Sequence, residues 1–218
     1  MRFKPRILPL GDSSLLVQFG GGVDISVNRL VHALASILDS SLFEGIIETV
    51  PAYAALLVHY DPLVLSYSQI RDVLRAKIAQ AQDYVSRKPK QVRVPVQYGG
   101  QFGVDLESVA RHLGMPVEEV IRLHTQRTYM VYMMGFTPGF PYMGKLDEAL
   151  VVPRLETPRT HVPAGTVAIA GSQTGIYPIA SPGGWRLIGW TPLKLFEPDS
   201  ESPFLFAPGD DVKFFIER

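Results

Sequence analysis

The sequence contains no cysteine. That single absence removes disulfides, thiolate nucleophiles and thiolate-bound metals together. It also lacks an excess of either charge, since 21 lysines and arginines balance 21 aspartates and glutamates. A nucleic-acid surface needs basic charge gathered on one face, and nothing here supplies it. Long apolar runs are missing too. The run Ala54-Ala55-Leu56-Leu57-Val58 is far shorter than the roughly 20 residues that cross a bilayer. The charged start, Met1-Arg2-Phe3-Lys4-Pro5-Arg6, leads into no apolar signal-type segment. The expectation is a soluble cytoplasmic protein with neither nucleic acid nor membrane as partner.

Motifs for common chemistries are absent as well. No His-Glu-x-x-His occurs, and His112, His124 and His161 stand too far apart for ligand spacing, so no metal is predicted. No Gly-x-Ser-x-Gly elbow offers a serine nucleophile, and Ser181 is followed by Pro182 rather than by a helix start. Gly20-Gly21-Gly22 lacks the Gly-Lys-Ser/Thr of a phosphate loop and reads as a turn before a helix.

What is present is an ordinary globular composition, 46% apolar and 19% charged over 218 residues. Residues 6–10 and 14–19 read as strands around a Gly11-Asp12 turn. Val27, Leu30, Val31, Leu34 and Leu38 then share one helical face. Strands over 48–51 and 54–60 follow, and Asp61-Pro62 breaks the chain. A second helix places Ile70, Val73, Leu74, Ile78, Ala81 and Val85 on one face, with Ser66 or Ser68 as its cap. This order predicts an α+β sandwich over residues 1–88.

The polar join Ser86-Arg87-Lys88-Pro89-Lys90 marks the expected domain boundary, with a second domain over 89–218. Residues 92–98 alternate as a strand. A short helix is expected from an Asp105 cap to Gly114, and a second with Pro116 in its first turn and His124 on its apolar face. Strands are then expected at 128–134, 166–170, 176–179, 185–189, 193–196 and 212–216. Short strands punctuated by glycine and proline predict a closed or nearly closed barrel.

Glycine and proline crowd residues 135–191 alongside aromatics and arginines, which reads as rigid loops shaped around something. On an apolar helical face, His124 is more commonly a packed core histidine than a base. Arg154 and Arg159 each follow a proline and display a fork-shaped donor suited to a carboxylate or phosphate. The alternative is a pair of surface arginines closing loop carbonyls. Gln173, Thr174 and Tyr177 add neutral polar groups beside Gly171 and Gly175. In Ser181-Pro182-Gly183-Gly184-Trp185 the paired glycines let N–H groups approach a ligand, and Trp185 offers a flat wall. The alternative there is a tight turn packed under an indole.

Several segments together resemble one family. They are Gly11-Asp12-Ser13, Glu48 with Val50-Pro51, Tyr60-Asp61-Pro62, Val94-Pro95-Val96 and Phe102-Gly103-Val104-Asp105-Leu106. They continue with Gly135-Phe136-Thr137-Pro138-Gly139-Phe140-Pro141-Tyr142, Pro158-Arg159, Val162-Pro163-Ala164-Gly165, Gln173-Thr174-Gly175-Ile176-Tyr177-Pro178 and Ser181-Pro182-Gly183-Gly184-Trp185. The chain resembles the B subunit of 5-oxoprolinase, a family that includes KipI-type inhibitors of a sporulation histidine kinase and is also called allophanate hydrolase subunit 1. The resemblance implies an N-terminal α+β sandwich followed by a cyclophilin-like β-barrel. It implies partnership with the A and C subunits of 5-oxoprolinase to open 5-oxoproline to L-glutamate, with ATP used at the level of the complex. By similarity His124, Arg154, Arg159, Gln173, Tyr177, Ser181, Gly183 and Trp185 line a substrate-binding or interface site, and no catalytic residue is singled out. Many relatives carry cysteine in the strand that holds Gln97 here, so a thiol at that position is not essential. Two alternatives share the same family: an inhibitor docking on a histidine kinase, or the carboxyltransferase half of a urea- or allophanate-type biotin-dependent enzyme. No Met-Lys-Met biotin segment occurs, so biotin would arrive on another chain.

Overall fold

Strand alternation and helical periodicity in the first part of the chain sort its apolar residues onto one side. The computed structural model describes residues 4–40, 43–82, 84 and 88–217. The chain divides into two compact units, Met1–Lys88 and Pro89–Arg218. Val85 of the expected helix face and Ser86-Arg87 of the expected join lie outside the described residues.

The first unit runs β1 (Arg6–Pro9), β2 (Ser14–Gln18), α1 (Ile25–Ser40), β3 (Ile46–Pro51), β4 (Ala55–Tyr60) and α2 (Tyr67–Ala81). Its antiparallel sheet has the order β1-β2-β4-β3. Leu15, Val17, Leu56 and Val58 pack against Val31 and Leu34 of α1 and Ile70 and Leu74 of α2, all fully buried. Burial of each such side chain contributes roughly 1.5–3 kcal/mol, which is why the alternating and helical patterns coincide here. Asp24 caps α1, its Oδ1 accepting from the N–H groups of Ser26 (2.8 Å) and Val27 (3.0 Å). Ser66 caps α2 through a capping box with Gln69.

The second unit begins with β5 (Gln91–Tyr98), α3 (Leu106–Leu113), α4 (Val117–Gln126), β6 (Tyr129–Met134) and β7 (Pro141–Gly144). It continues with β8 (Arg159–Val162), β9 (Thr166–Ala170), β10 (Gln173–Ile176), β11 (Ser181–Gly183), β12 (Arg186–Trp190) and β13 (Asp211–Ile216). Seven strands close a barrel in the order β10-β7-β6-β13-β5-β12-β9, and β8 pairs with β11 beside it. Within the barrel β13 runs parallel to β5, while the other pairings are antiparallel. Closure leaves these seven strands without a free edge. The interior is filled by Val94, Val96, Val131, Met143, Val167, Ile169, Ile188 and Phe214.

The structure corrects several sequence expectations. The strand expected at 176–179 lies earlier, at Gln173–Ile176, because Tyr177 leads into Pro178, which has no N–H for a ladder. Residues 193–196 form only a single bridge, Phe196 to Phe204, between Pro192 and Pro198. Pro116 is the N-cap of α4 rather than a residue of its first turn. Asp105 stands at the N-cap of α3 but makes no side-chain capping bond, since its carboxylate is used elsewhere. Gly114 does end α3 with a left-handed φ of 67°. Among the described residues no helix is long and apolar enough to cross a membrane, and no three His, Asp or Glu residues are grouped to hold a metal ion.

Candidate functional site

The loop from β6 to β7 carries the glycine- and proline-rich run 135–142. It is closed by backbone bonds from Gly135 N–H to Phe140 carbonyl and from Phe140 N–H to Thr137 carbonyl, both 3.1 Å. Gly139 takes a φ of 81°, and a Cβ there would press on Phe196 Cβ at 3.1 Å. The turn delivers Phe140 into a second, smaller core with Val162, Ala168, Ala170, Tyr177, Trp185 and Leu187.

Phe140 is the hub of that core. Tyr142, Tyr177 and Trp185 meet its ring edge-to-face at 4.9, 5.2 and 5.5 Å. Such pairs add about 0.5–1.5 kcal/mol each beyond buried area. Burial raises the Tyr177 hydroxyl above its ordinary pKa, partly offset by a backbone hydrogen bond from Trp185 and by the Arg154 and Arg159 charges. Gly183 lies against this tyrosine so closely that a Cβ would stand 2.2 Å from its hydroxyl oxygen.

Two arginines border the cluster. Arg154 is exposed, its guanidinium 5.9 Å from the centre of the Trp185 ring, and it makes no ion pair with the described residues. Arg159, opposite Gly183 in the β8–β11 pair, is held by Asp105. Its Nη2 donates to Asp105 Oδ1 at 2.7 Å, and Oδ2 of the same carboxylate accepts from the Leu187 N–H at 2.8 Å. Asp105 is thus a buried post that fixes the Arg159 fork, a role its N-cap position in the sequence does not reveal. The partners lie 54 and 82 residues away.

Three polar atoms at these loops have no hydrogen-bond partner among the described residues: Arg159 Nη1, Ser181 Oγ and Thr137 Oγ1. Buried groups without partners are few in folded proteins, and each calls for an explanation. Ser181 pairs with Val162, a member of the aromatic cluster, so its hydroxyl belongs to the same locality.

Of the eight residues expected from sequence, Arg154, Arg159, Tyr177, Ser181, Gly183 and Trp185 are gathered at this cluster. Gln173 sits on the next strand, opposite Gly144 and Ala170, and is half-buried. His124 is not brought to the surface at all. It is fully buried, with Nδ1 2.7 Å from the Tyr98 hydroxyl and Nε2 2.9 Å from Thr174 Oγ1. Thr174 donates its own proton to the Ala168 carbonyl. It must therefore accept from His124, which places the imidazole proton on Nε2 and makes Tyr98 the donor to Nδ1. Burial lowers the His124 pKa to about 3, so the ring is neutral. Among the placements expected for it, the packed, hydrogen-bonded core residue is the one found.

A groove of about 500 Å³ opens beside Arg159, walled in part by Phe102, Val104, His161, Leu187 and Trp190. Phe102 and Trp190 are stacked at 5.4 Å, and the Trp190 indole N–H donates to the Ala164 carbonyl. The residues expected from sequence omit this stack and the aromatic hub Phe140. The signal for Phe140 was its place in the 135–142 run; Phe102 and Trp190 are brought together only by the fold.

Comparisons with known proteins agree on one family. The pattern of the carboxyltransferase domain, subdomain C and D, matches residues 5–206. The B subunit of 5-oxoprolinase from Bacillus subtilis is 44% identical over 226 residues, covering 98% of this chain and 93% of that protein. The corresponding B subunit of 5-oxoprolinase from Haemophilus influenzae is 39% identical, covering 97% of each. The crystal structure of TTHA0988 superposes with a TM-score of 0.84 at 40% identity, covering 94% of this chain. This chain spans 40% of the length of that longer one. The chain belongs to the carboxyltransferase subdomain C and D family and, within it, to the B subunits of 5-oxoprolinase.

Proposed function

We propose that this chain is one component of an ATP-dependent 5-oxoprolinase that, with the A and C subunits, hydrolyses 5-oxoproline to L-glutamate in the cytoplasm, and that it is inactive alone. Its two units act as an α+β sandwich domain and a cyclophilin-like barrel domain, and the barrel carries the site. The observation that carries this reading is the set of unpartnered polar atoms, Arg159 Nη1, Ser181 Oγ and Thr137 Oγ1, beside a rigid aromatic cluster. A five-membered lactam with a carboxylate presents acceptors for such groups. Ser181 serves as donor to the amide oxygen, while Arg159, fixed by Asp105, serves the carboxylate.

ATP supplies the driving force when bound, but the glycine loop before α1 does not fit it. The triple glycine 20–22 leads into α1, whose first N–H groups are already occupied by the Asp24 carboxylate. A carboxylate at that position repels a phosphate. The nucleotide is assigned to a partner chain.

Ser181→Ala tests the site. Removing a hydroxyl that has no partner leaves the folded chain no less stable. In the complete complex, turnover of 5-oxoproline is expected to fall at least tenfold, with the melting temperature unchanged or raised. Unchanged turnover would remove Ser181 from the site. Arg159→Ala is a poorer probe, because it strips a buried carboxylate of its partner.

A further inference from the structure

The groove beside Arg159 has fixed walls. Its loop wall, residues 99–105, is tied to β12 at both ends. Gly99 N–H donates to the Ile188 carbonyl at 3.1 Å, and Asp105 N–H donates to the Leu187 carbonyl at 2.9 Å. Between these ties only glycine fits at 103, where a Cβ would stand 2.2 Å from the Ile188 carbonyl oxygen. The same loop lays Phe102 on Trp190, the rings 23° from parallel, and the Trp190 N–H is held by the Ala164 carbonyl at 2.9 Å. Phe102, Val104 and Trp190 belong to neither buried core of the second unit, and Val104 is 56% exposed. Packing therefore does not account for this apolar wall. Donors converge beside it. Arg159 and His161 stand two residues apart on β8, so they project from one face of the strand, and both line the groove. Arg159 Nη2 is committed to Asp105, while Nη1 has no partner among the described residues. His161 is exposed. Among the described residues no aspartate or glutamate lines the groove. A volume of about 500 Å³, apolar walls and a few convergent polar groups are the attributes of a small-molecule site.

We propose that this groove binds an organic carboxylate with a flat apolar ring, the ring lying along Phe102, Val104 and Trp190 and the carboxylate taking donors from Arg159 and His161. A carboxylate is an acceptor only, which matches a rim of donors without an acidic residue. A flat ring matches a wall of stacked aromatics. Binding here needs neither a second subunit nor turnover of 5-oxoproline, so the inference stands apart from the 5-oxoprolinase reading.

The sequence has two tryptophans, Trp185 in the aromatic cluster and Trp190 in the groove, so their indole N–H resonances report the two places separately in the full chain. Titration with phenylacetate is expected to move the Trp190 resonance saturably, with a dissociation constant of about 10 mM or below, and to leave Trp185 in place. Phenylacetamide, the same ring without the charge, is expected to bind at least about fivefold more weakly. His161→Ala changes an exposed residue. It is expected to weaken phenylacetate at least about threefold and to leave phenylacetamide unaffected. Phe102→Ala is expected to weaken both probes alike. Equal affinity for the two probes overturns the assignment of a carboxylate. A Trp185 shift without a Trp190 shift, or no shift of either at about 50 mM phenylacetate, overturns the site. Absence of 5-oxoproline turnover in the complete complex would overturn the 5-oxoprolinase reading and leave these titrations untouched.

Discussion

His124 joins three secondary-structure elements at a single ring: its own α4, Tyr98 on β5 and Thr174 on β10. Because burial lowers its pKa to about 3, the folded chain refuses a proton that the unfolded chain accepts near pH ~6.5. This contribution to stability is therefore present above about pH 6.5 and is lost progressively as pH falls toward 3. Between pH 7.5 and 5.5 the loss from this ring amounts to about 1 kcal/mol. Denaturant midpoints at the two pH values should show it, and His124→Gln should be less stable at about pH 7.5 with a flatter dependence. An equal slope in both proteins would mean that the ring is not held neutral. The apolar helical face around His124 is readable in the sequence, and so is the prospect of a packed histidine. Its two partners, 26 and 50 residues away, are not. Asp105 shows the same limit: a residue typical of helix caps commits its carboxylate to Arg159 and the Leu187 N–H, far along the chain.

At the scale of elements, β11 illustrates what the sequence shows and hides. Ser181-Pro182-Gly183 has little strand character, because proline cannot donate to a ladder and glycine packs no side chain. It nevertheless pairs with β8, and glycine at 183 is required by the Tyr177 hydroxyl lying where a Cβ would go. Gly183→Ala should cost about 1–3 kcal/mol by overpacking. Tyr177→Phe in the same chain should restore part of it, since the ring carbon at 2.7 Å still crowds the methyl. Denaturant titration of the two variants measures both effects, and a neutral Gly183→Ala would show that the β8–β11 pair yields easily. Elements with regular periodicity are legible throughout: α1, α2, β4 and β5 carry apolar patterns that their burial follows. The short strands β7, β8 and β11 are not, since glycine, proline and arginine give them no alternation. They surround the candidate site, where local preference and structure part company.

For the whole molecule, a closed barrel is foreseeable from the count of short strands, and family membership from the motifs in residues 135–185. The way the motifs converge is not. Phe140 links Tyr142, Tyr177 and Trp185 only because β7, the loop after β10 and the turn before β12 meet at one end of the second unit's small core. The proposed function would give partners to the polar atoms left without them inside this chain. The most direct measurement is glutamate release from 5-oxoproline and ATP with three preparations: this chain alone, the A and C subunits without it, and all three together. The account predicts release only from the complete mixture. Equal release from the A and C subunits without this chain would contradict it.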